Sequence, residues 1–434
     1  MHANLSLQQA PPFSVPARFL VSAPLFGMVA ALVMLWHGPE MISHRWTPEL
    51  LAVTHFLTLG FLAMSMLGAL MQLMPVLMGM VIPRAILFSS MVHTPLFLGS
   101  ACLGLAWLIN INELFIIAMA LLGFSFTIFI VVVTERLLRS KNRHVTRSMM
   151  MLALFALFIT AILGIYLAMG YASADFSLAR QLTDLHLSWG LLGWVALLIM
   201  AVAYQVIPMF QITDEYPARH QRWMGWSLFI ALLALSLAYN WPSEILKSIS
   251  QIFLAACLLI FALTTLWVLQ TRRRQIPDLT MMFWQLAMVS LILLILAWAI
   301  ATLMNFDLPV LLGVLIIHGF AMTTITGMMY KIIPFLIWLH LSTRNKNLRD
   351  KGERTSQVKV PHMRKIIPEA AGLWQFRLHS ISLVLLILAA IWPDWFFYPA
   401  TLVFFIAQTA LFFNLSKAVY FYNAKIAELE TQQS

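Results

Sequence analysis

Four of the twelve histidines in this chain lie inside long apolar runs: His55, His93, His186 and His318. An ionisable side chain at that depth in a membrane is costly enough to mark a functional site. Neutral imidazole is a good ligand for iron or copper. Two histidines facing each other from different helices would hold a six-coordinate electron-transfer haem, a large and mostly apolar plate suited to a cavity between helices, and one histidine with an open side would hold a gas-binding haem. The competing role is structural, a hydrogen bond between helices.

His55 lies five residues inside its run, among Val53, Phe56 and Leu57, with no side-chain partner nearby in the sequence. His318 is followed by Gly319, which leaves room beside the imidazole. These two are the leading candidates for axial ligands. His186 follows Asp184, so an ion pair at the membrane edge competes with ligation. His93 reaches a comparable depth in the third span, provided that helix faces inward. The candidate metal ligands are therefore His55, His318 and His186; the wider cofactor-binding set adds His93, Gly60 and Gly319. His340 and His379 sit at run ends and read as interfacial or solvated. His37, His44, His144, His220 and His362 read as loop residues.

The elements that carry these histidines repeat. Counting back from Pro75, Pro208 and Pro334, a glycine and an aromatic stand in register: Gly60-Phe61, Gly193-Trp194 and Gly319-Phe320. Gly68, Ala201 and Gly327 stand seven before the proline, and Gln72, Gln205 and Lys331 three before it. Matches roughly a third of the chain apart indicate duplication. The prolines sit where a missing backbone donor is tolerable and can tilt the helix exit. The glycines let helices, or a flat ligand, approach closely.

Hydrophobic residues are 61% and charged residues 10% of 434, with a mean hydropathy of +0.86, which excludes a water-soluble globule. Apolar runs of about 18 residues or more predict twelve spans: 16–36, 50–75, 84–109, 113–135, 148–172, 184–210, 221–240, 245–270, 280–304, 308–338, 375–393 and 398–422. The predicted fold is an all-α integral membrane protein with twelve transmembrane helices in three pseudo-equivalent four-helix units, 16–135, 136–274 and 275–422. Residues 1–15 and 423–434 are cytoplasmic ends, and 341–374 is a polar, basic cytoplasmic loop without its own core. Lys and Arg concentrate between spans 4 and 5, 6 and 7, 8 and 9, and 10 and 11, whereas the opposite loops offer little more than Arg45, Arg180 and Lys247. That bias places both termini inside a bacterial inner membrane, with the motif helices running inward. His55 then lies roughly 10 Å below the outer surface.

What is missing narrows the chemistry. The net charge of +10 lies in loops beside helices, where anionic lipid explains it and nucleic acid does not. Cys102 and Cys257, both in apolar runs, argue against a disulfide framework or a thiolate site. No Cys-x-x-Cys-His, nucleotide loop or acidic metal box occurs. The 27 methionines read as gap-filling core. Carboxylates at depth, which a proton or sodium pump would want, are nearly absent.

Twelve spans in three arcs, with His55-x4-Gly60-Phe61 on helix 2, His186-x6-Gly193-Trp194 on helix 6 and Gly327-Met-Met-Tyr-Lys-Ile-Ile-Pro334 on helix 10, resemble the haem-copper oxidase subunit I superfamily. That superfamily includes nitric-oxide reductases and NnrS-type relatives that are not oxidases. The resemblance implies that His55 is the helix 2 ligand of a low-spin haem b, that His318 supplies the helix 10 ligand from about a turn deeper, and that His186 falls near the copper-ligand region. Span 7, Trp223 to Asn240, lacks the family's adjacent histidine pair, and helix 10 lacks paired histidines. A binuclear haem-copper centre, and copper with it, is thereby put in doubt. The expectation is a b-type haem protein for nitric oxide binding or response, or for membrane electron transfer, with an electron-donor or respiratory partner subunit; any enzymatic activity would be an oxidoreductase's. The alternatives are a small-solute or metal-ion transporter, and a non-catalytic respiratory assembly subunit.

Overall fold

Backbone N–H and C=O groups taken into hydrocarbon must be satisfied within their own segment, which a helix achieves. The computed structural model describes residues 9–140, 145–175, 182–241, 243–273, 278–350 and 358–431, and contains no strand among them. Lys141, Arg143, His144, Arg180, Arg274, Lys351 and Arg354, which contribute to the loop charges or loop histidines above, lie outside the described residues.

Among the described residues, twelve helices are long and apolar enough to cross a membrane: α1 Ser14–His37, α2 Pro48–Val76, α3 Ala85–Ile109, α4 Asn112–Arg139, α5 Val145–Ala172, α6 Thr183–Gln211, α7 Ala218–Asn240, α8 Glu244–Gln270, α9 Leu279–Met304, α10 Pro309–Asp350, α11 Glu369–Ile391 and α12 Pro393–Thr431. All twelve predicted spans are present. Three ends differ from the hydropathy reading. Helix α10 continues to Asp350 through the first part of the expected loop, α11 begins six residues before its apolar run, and α12 carries the tail to Thr431. Hydropathy ends where polar side chains begin, whereas helical hydrogen bonding continues for as long as those side chains find water or a neighbour.

The three motif helices form the interior. In α2, α6 and α10 the buried share of the apolar window is 61%, 78% and 78%, against at most 50% in any other span. Large apolar side chains such as Trp223, Ile245, Ile252 and Leu303 are exposed on the outer helices, as a lipid environment requires. Each motif helix packs on the helix before it, α2 on α1, α6 on α5 and α10 on α9. Small residues make this approach possible. A Cβ on Gly68 would lie 2.4 Å from Phe19, and one on Gly327 would lie 2.4 Å from Phe283.

Each motif helix also widens into a π-helical stretch: Phe56–Ala63, Ser188–Ala196 and Val314–Met322. Each stretch ends twelve residues before its proline (63 and 75, 196 and 208, 322 and 334) and contains its Gly-aromatic pair. Such bulges are rare and frequent at functional sites. The bulges of α2 and α6 both approach that of α10.

Candidate histidine-lined cavity

Between α2, α6 and α10 lies a cavity of about 930 Å³, lined mainly by apolar side chains and by His55, His186 and His318. Its volume is at the upper end of the roughly 300–1,000 Å³ usual for ligand and cofactor pockets. Arg45, Asp184, Lys247 and Asn305 line the end of the bundle where the cavity opens. There Arg45 forms a short ion pair with Asp184, which also accepts a hydrogen bond from the Tyr239 hydroxyl at 3.2 Å. Asp184 therefore turns to Arg45 and Tyr239, and His186 is left for the interior.

His55 and His186 face each other across helices, with near-parallel rings (19°) and centroids 6.3 Å apart. Each ring is fixed by its own backbone contact. His55 Nδ1 lies 2.8 Å from the Leu51 carbonyl in the preceding turn, and His186 Nδ1 lies 3.1 Å from the Thr160 carbonyl of α5. A carbonyl only accepts, so both rings carry their proton on Nδ1 and leave an Nε2 lone pair. The Trp107 ring lies 4.7 Å from His55. Gly164 makes the place for His186, since a Cβ there would come within 3.0 Å of Cε1.

The pair is compatible with a haem. Metal–nitrogen bonds of about 2 Å on opposite sides of one metal put imidazole centroids roughly 6 Å apart. A second-shell carbonyl on Nδ1 is the usual way of fixing a metal-binding histidine. Among the described residues no three side chains of His, Cys, Asp or Glu converge as a metal site.

His318 makes a different pairing from the expected one with His55. It lines the cavity but packs against His379 of α11, the rings tilted at 39° with centroids 4.3 Å apart. His318 Nε2 lies 2.9 Å from Ser382 Oγ, and Ser382 Oγ donates its only proton to the His379 carbonyl at 2.8 Å. His379 Nε2 lies 2.7 Å from Thr323 Oγ1, which donates to the His318 carbonyl at 2.8 Å. Both hydroxyls must accept from the imidazoles, so both rings carry their proton on Nε2. Both Nδ1 atoms are buried and have no hydrogen-bond partner among the described residues.

His379 is the residue that hydropathy missed. It reads as interfacial from the run starting at 375, yet it is fully buried ten residues into α11, because the helix begins at Glu369. The only sequence signal was its spacing on one helical face with Gln375 and Ser382. His93 lies outside the cavity lining, between the rings of Phe19 and Phe97, with Nε2 2.9 Å from Ser22 Oγ. Gly60 and Gly319 are not in the lining either. A Cβ on them would strike Phe26 and Ser290, so both serve helix packing.

The polar residue three before each proline has three fates. Lys331 donates to Asp278 Oδ2 at 2.7 Å, Gln205 donates to Thr146 at 3.1 Å, and the Gln72 amide is buried with no hydrogen-bond partner among the described residues. Asp278 caps α9, accepting from the Thr280 N–H at 3.0 Å. Burial alone would raise its carboxyl, but the Lys331 charge and the hydrogen bonds from Lys331 and Thr280 outweigh that and hold it below the usual carboxylate value.

Fold and site together define a twelve-span helical membrane protein with a histidine-lined cavity open at one end. No family model matches the chain, and no curated protein matches it.

Proposed function

We propose that this chain is a haem-binding integral membrane protein in which His55 and His186 hold one b-type haem and pass electrons. The observation that carries the reading is the facing pair, each Nδ1 fixed by a backbone carbonyl and each Nε2 left to ligate, in an apolar cavity of about 930 Å³. Bound there, haem iron would supply a one-electron ferric/ferrous couple. The residues of the chain do the rest. Leu51 and Thr160 orient the ligands, Gly164 leaves room for the second, and the lining around the pair is mainly apolar. Arg45, paired with Asp184, and Lys247 stand at the mouth.

His55 and His186 would both hold the group, which favours electron transfer over gas binding. Nitric oxide would have to displace one of them. The electron donor would be a partner that meets the open end, and the Lys/Arg-poor side is expected to face outward from a bacterial inner membrane.

The test is an optical spectrum of the purified protein, oxidised and reduced, with iron analysis. A low-spin Soret band is expected, lost in His55→Ala and in His186→Ala and kept in His379→Ala. A preparation from haem-replete cells with neither Soret absorbance nor iron would refute the reading.

A further inference from the structure

Buried polar atoms without partners are rare in folded proteins and costly in a membrane interior. Here several of them lie on two neighbouring helices, where Gln375 also reaches α12, its Nε2–H donating to the Ala407 carbonyl at 3.4 Å. Counting from the cavity, they are His318 Nδ1, His379 Nδ1, Thr326 Oγ1 and Gln375 Oε1, all on α10 and α11. The side chains of Thr326, Gln375 and His379 are completely buried and that of His318 is nearly so.

Helical spacing lines them up. Gly372, Gln375, His379 and Ser382 share one face of α11, and Thr323, Thr326 and Tyr330 share the face of α10 that meets it. The contacts agree. Thr323 meets His379, His318 meets Ser382, and the Tyr330 ring lies 3.8 Å from where a Gly372 Cβ would stand. Below Gln375 the series continues in Asn414 of α12, which donates to the Tyr330 hydroxyl at 2.9 Å and to the Ala371 carbonyl at 3.3 Å. Asn414 is half-buried and closes the series towards the end of the bundle where Lys331 pairs with Asp278. From Ala371 to Ser382 the face spans roughly 16 Å of helix, about half of a hydrocarbon core. The cavity, open at the other end, covers the remainder.

We infer that this face of α10 and α11 is a water-lined proton route joining the cavity to the opposite end of the bundle. Each orphaned atom is an acceptor site that a water would satisfy, because a buried polar group left unpaired is costly. The two bare Nδ1 atoms are the relay positions. A proton from one water adds to an Nδ1 lone pair, giving an imidazolium, and the same Nδ1–H passes it to a second water within reach of that nitrogen, restoring the neutral Nε2–H ring. One proton enters and one leaves, with no oxidant or reductant. The hydroxyls of Ser382 and Thr323 fix both rings so that Nδ1 is the nitrogen available. Imidazole and hydroxyl groups thus take the place of the carboxylates that the membrane-embedded sequence lacks. The route does not depend on the haem assignment.

The experiment is proton flux into liposomes carrying the full-length protein, driven by a potassium diffusion potential and read by a trapped pH dye. The flux is expected to exceed that of protein-free liposomes and to fall by roughly tenfold in Gln375→Leu, where an apolar plug breaks the hydration. His379→Phe should fall similarly. Ser380→Ala, on another face of α11, should leave the flux unchanged. Size exclusion and thermal melts establish that each variant is folded. Flux no greater than that of protein-free liposomes would overturn the route, and so would folded Gln375→Leu and His379→Phe proteins that conduct like the parent. A haem-free preparation that still conducts would separate this inference from the proposed function.

Discussion

The two histidine pairs of this protein use the same side chain in opposite ways. At His55 and His186, backbone carbonyls hold Nδ1 and leave Nε2, the rings stand 6.3 Å apart, and both line the cavity. At His318 and His379, hydroxyls hold Nε2 and leave Nδ1, and the rings close to 4.3 Å. A carbonyl partner fixes a ring while leaving its outward nitrogen basic, which suits a metal. A hydroxyl that already donates elsewhere fixes a ring against a polar helix face, which suits a proton. What decides the role of a histidine is thus the group that holds its other nitrogen.

The largest break in this comparison should come from the first pair. His186→Ala is expected to abolish the Soret band, whereas His379→Ala should keep it, as read in the spectrum of the purified protein. Gly164→Val comes next, because a side chain there pushes on His186 Cε1, already within 3.0 Å of a Cβ. Displacing a ligand through its support should lower haem affinity roughly tenfold or more, measured by haem titration of the apoprotein.

On the second pair, Ser382→Ala removes the acceptor of His318 Nε2–H and leaves a buried donor unpaired. The expected cost is about 1–3 kcal/mol, seen as a lower melting temperature in detergent with an unchanged spectrum. The smallest effect concerns Asp278, far from both pairs. Its carboxyl is held below the ordinary carboxylate value, about 4, in the folded protein. Its stabilisation is therefore complete above that pH and is lost as pH falls through the lower folded value. Melting temperatures taken from pH 6 downward should drop in the parent below about pH 4, and Asp278→Asn should flatten that part of the curve.

The helices were legible because hydrocarbon demands long apolar runs whatever the partners, and the three prolines gave the register of α2, α6 and α10. The Gly-aromatic pairs marked the stretches that widen, but nothing in the residues announced a π-helix, since its extra residue per turn is settled by neighbours. His379 was hidden by the polar start of α11. The partner of His55 could not be read from the chain either. Depth along a helix follows from counting residues, but azimuth does not, and one π-bulge is enough to turn the remainder of a helix relative to its neighbours.

The sequence by itself determined a membrane protein of twelve helices, three of them marked by a common motif, and placed imidazoles inside the apolar runs. Only the tertiary structure decided which imidazoles meet, which nitrogen each one offers, and that a cavity opens beside the first pair. Hydrophobicity and helical hydrogen bonding are local properties of a chain. The approach of two rings depends on the rotation and tilt of separate helices, which are settled by packing at contacts such as Gly68 on Phe19 and Gly327 on Phe283.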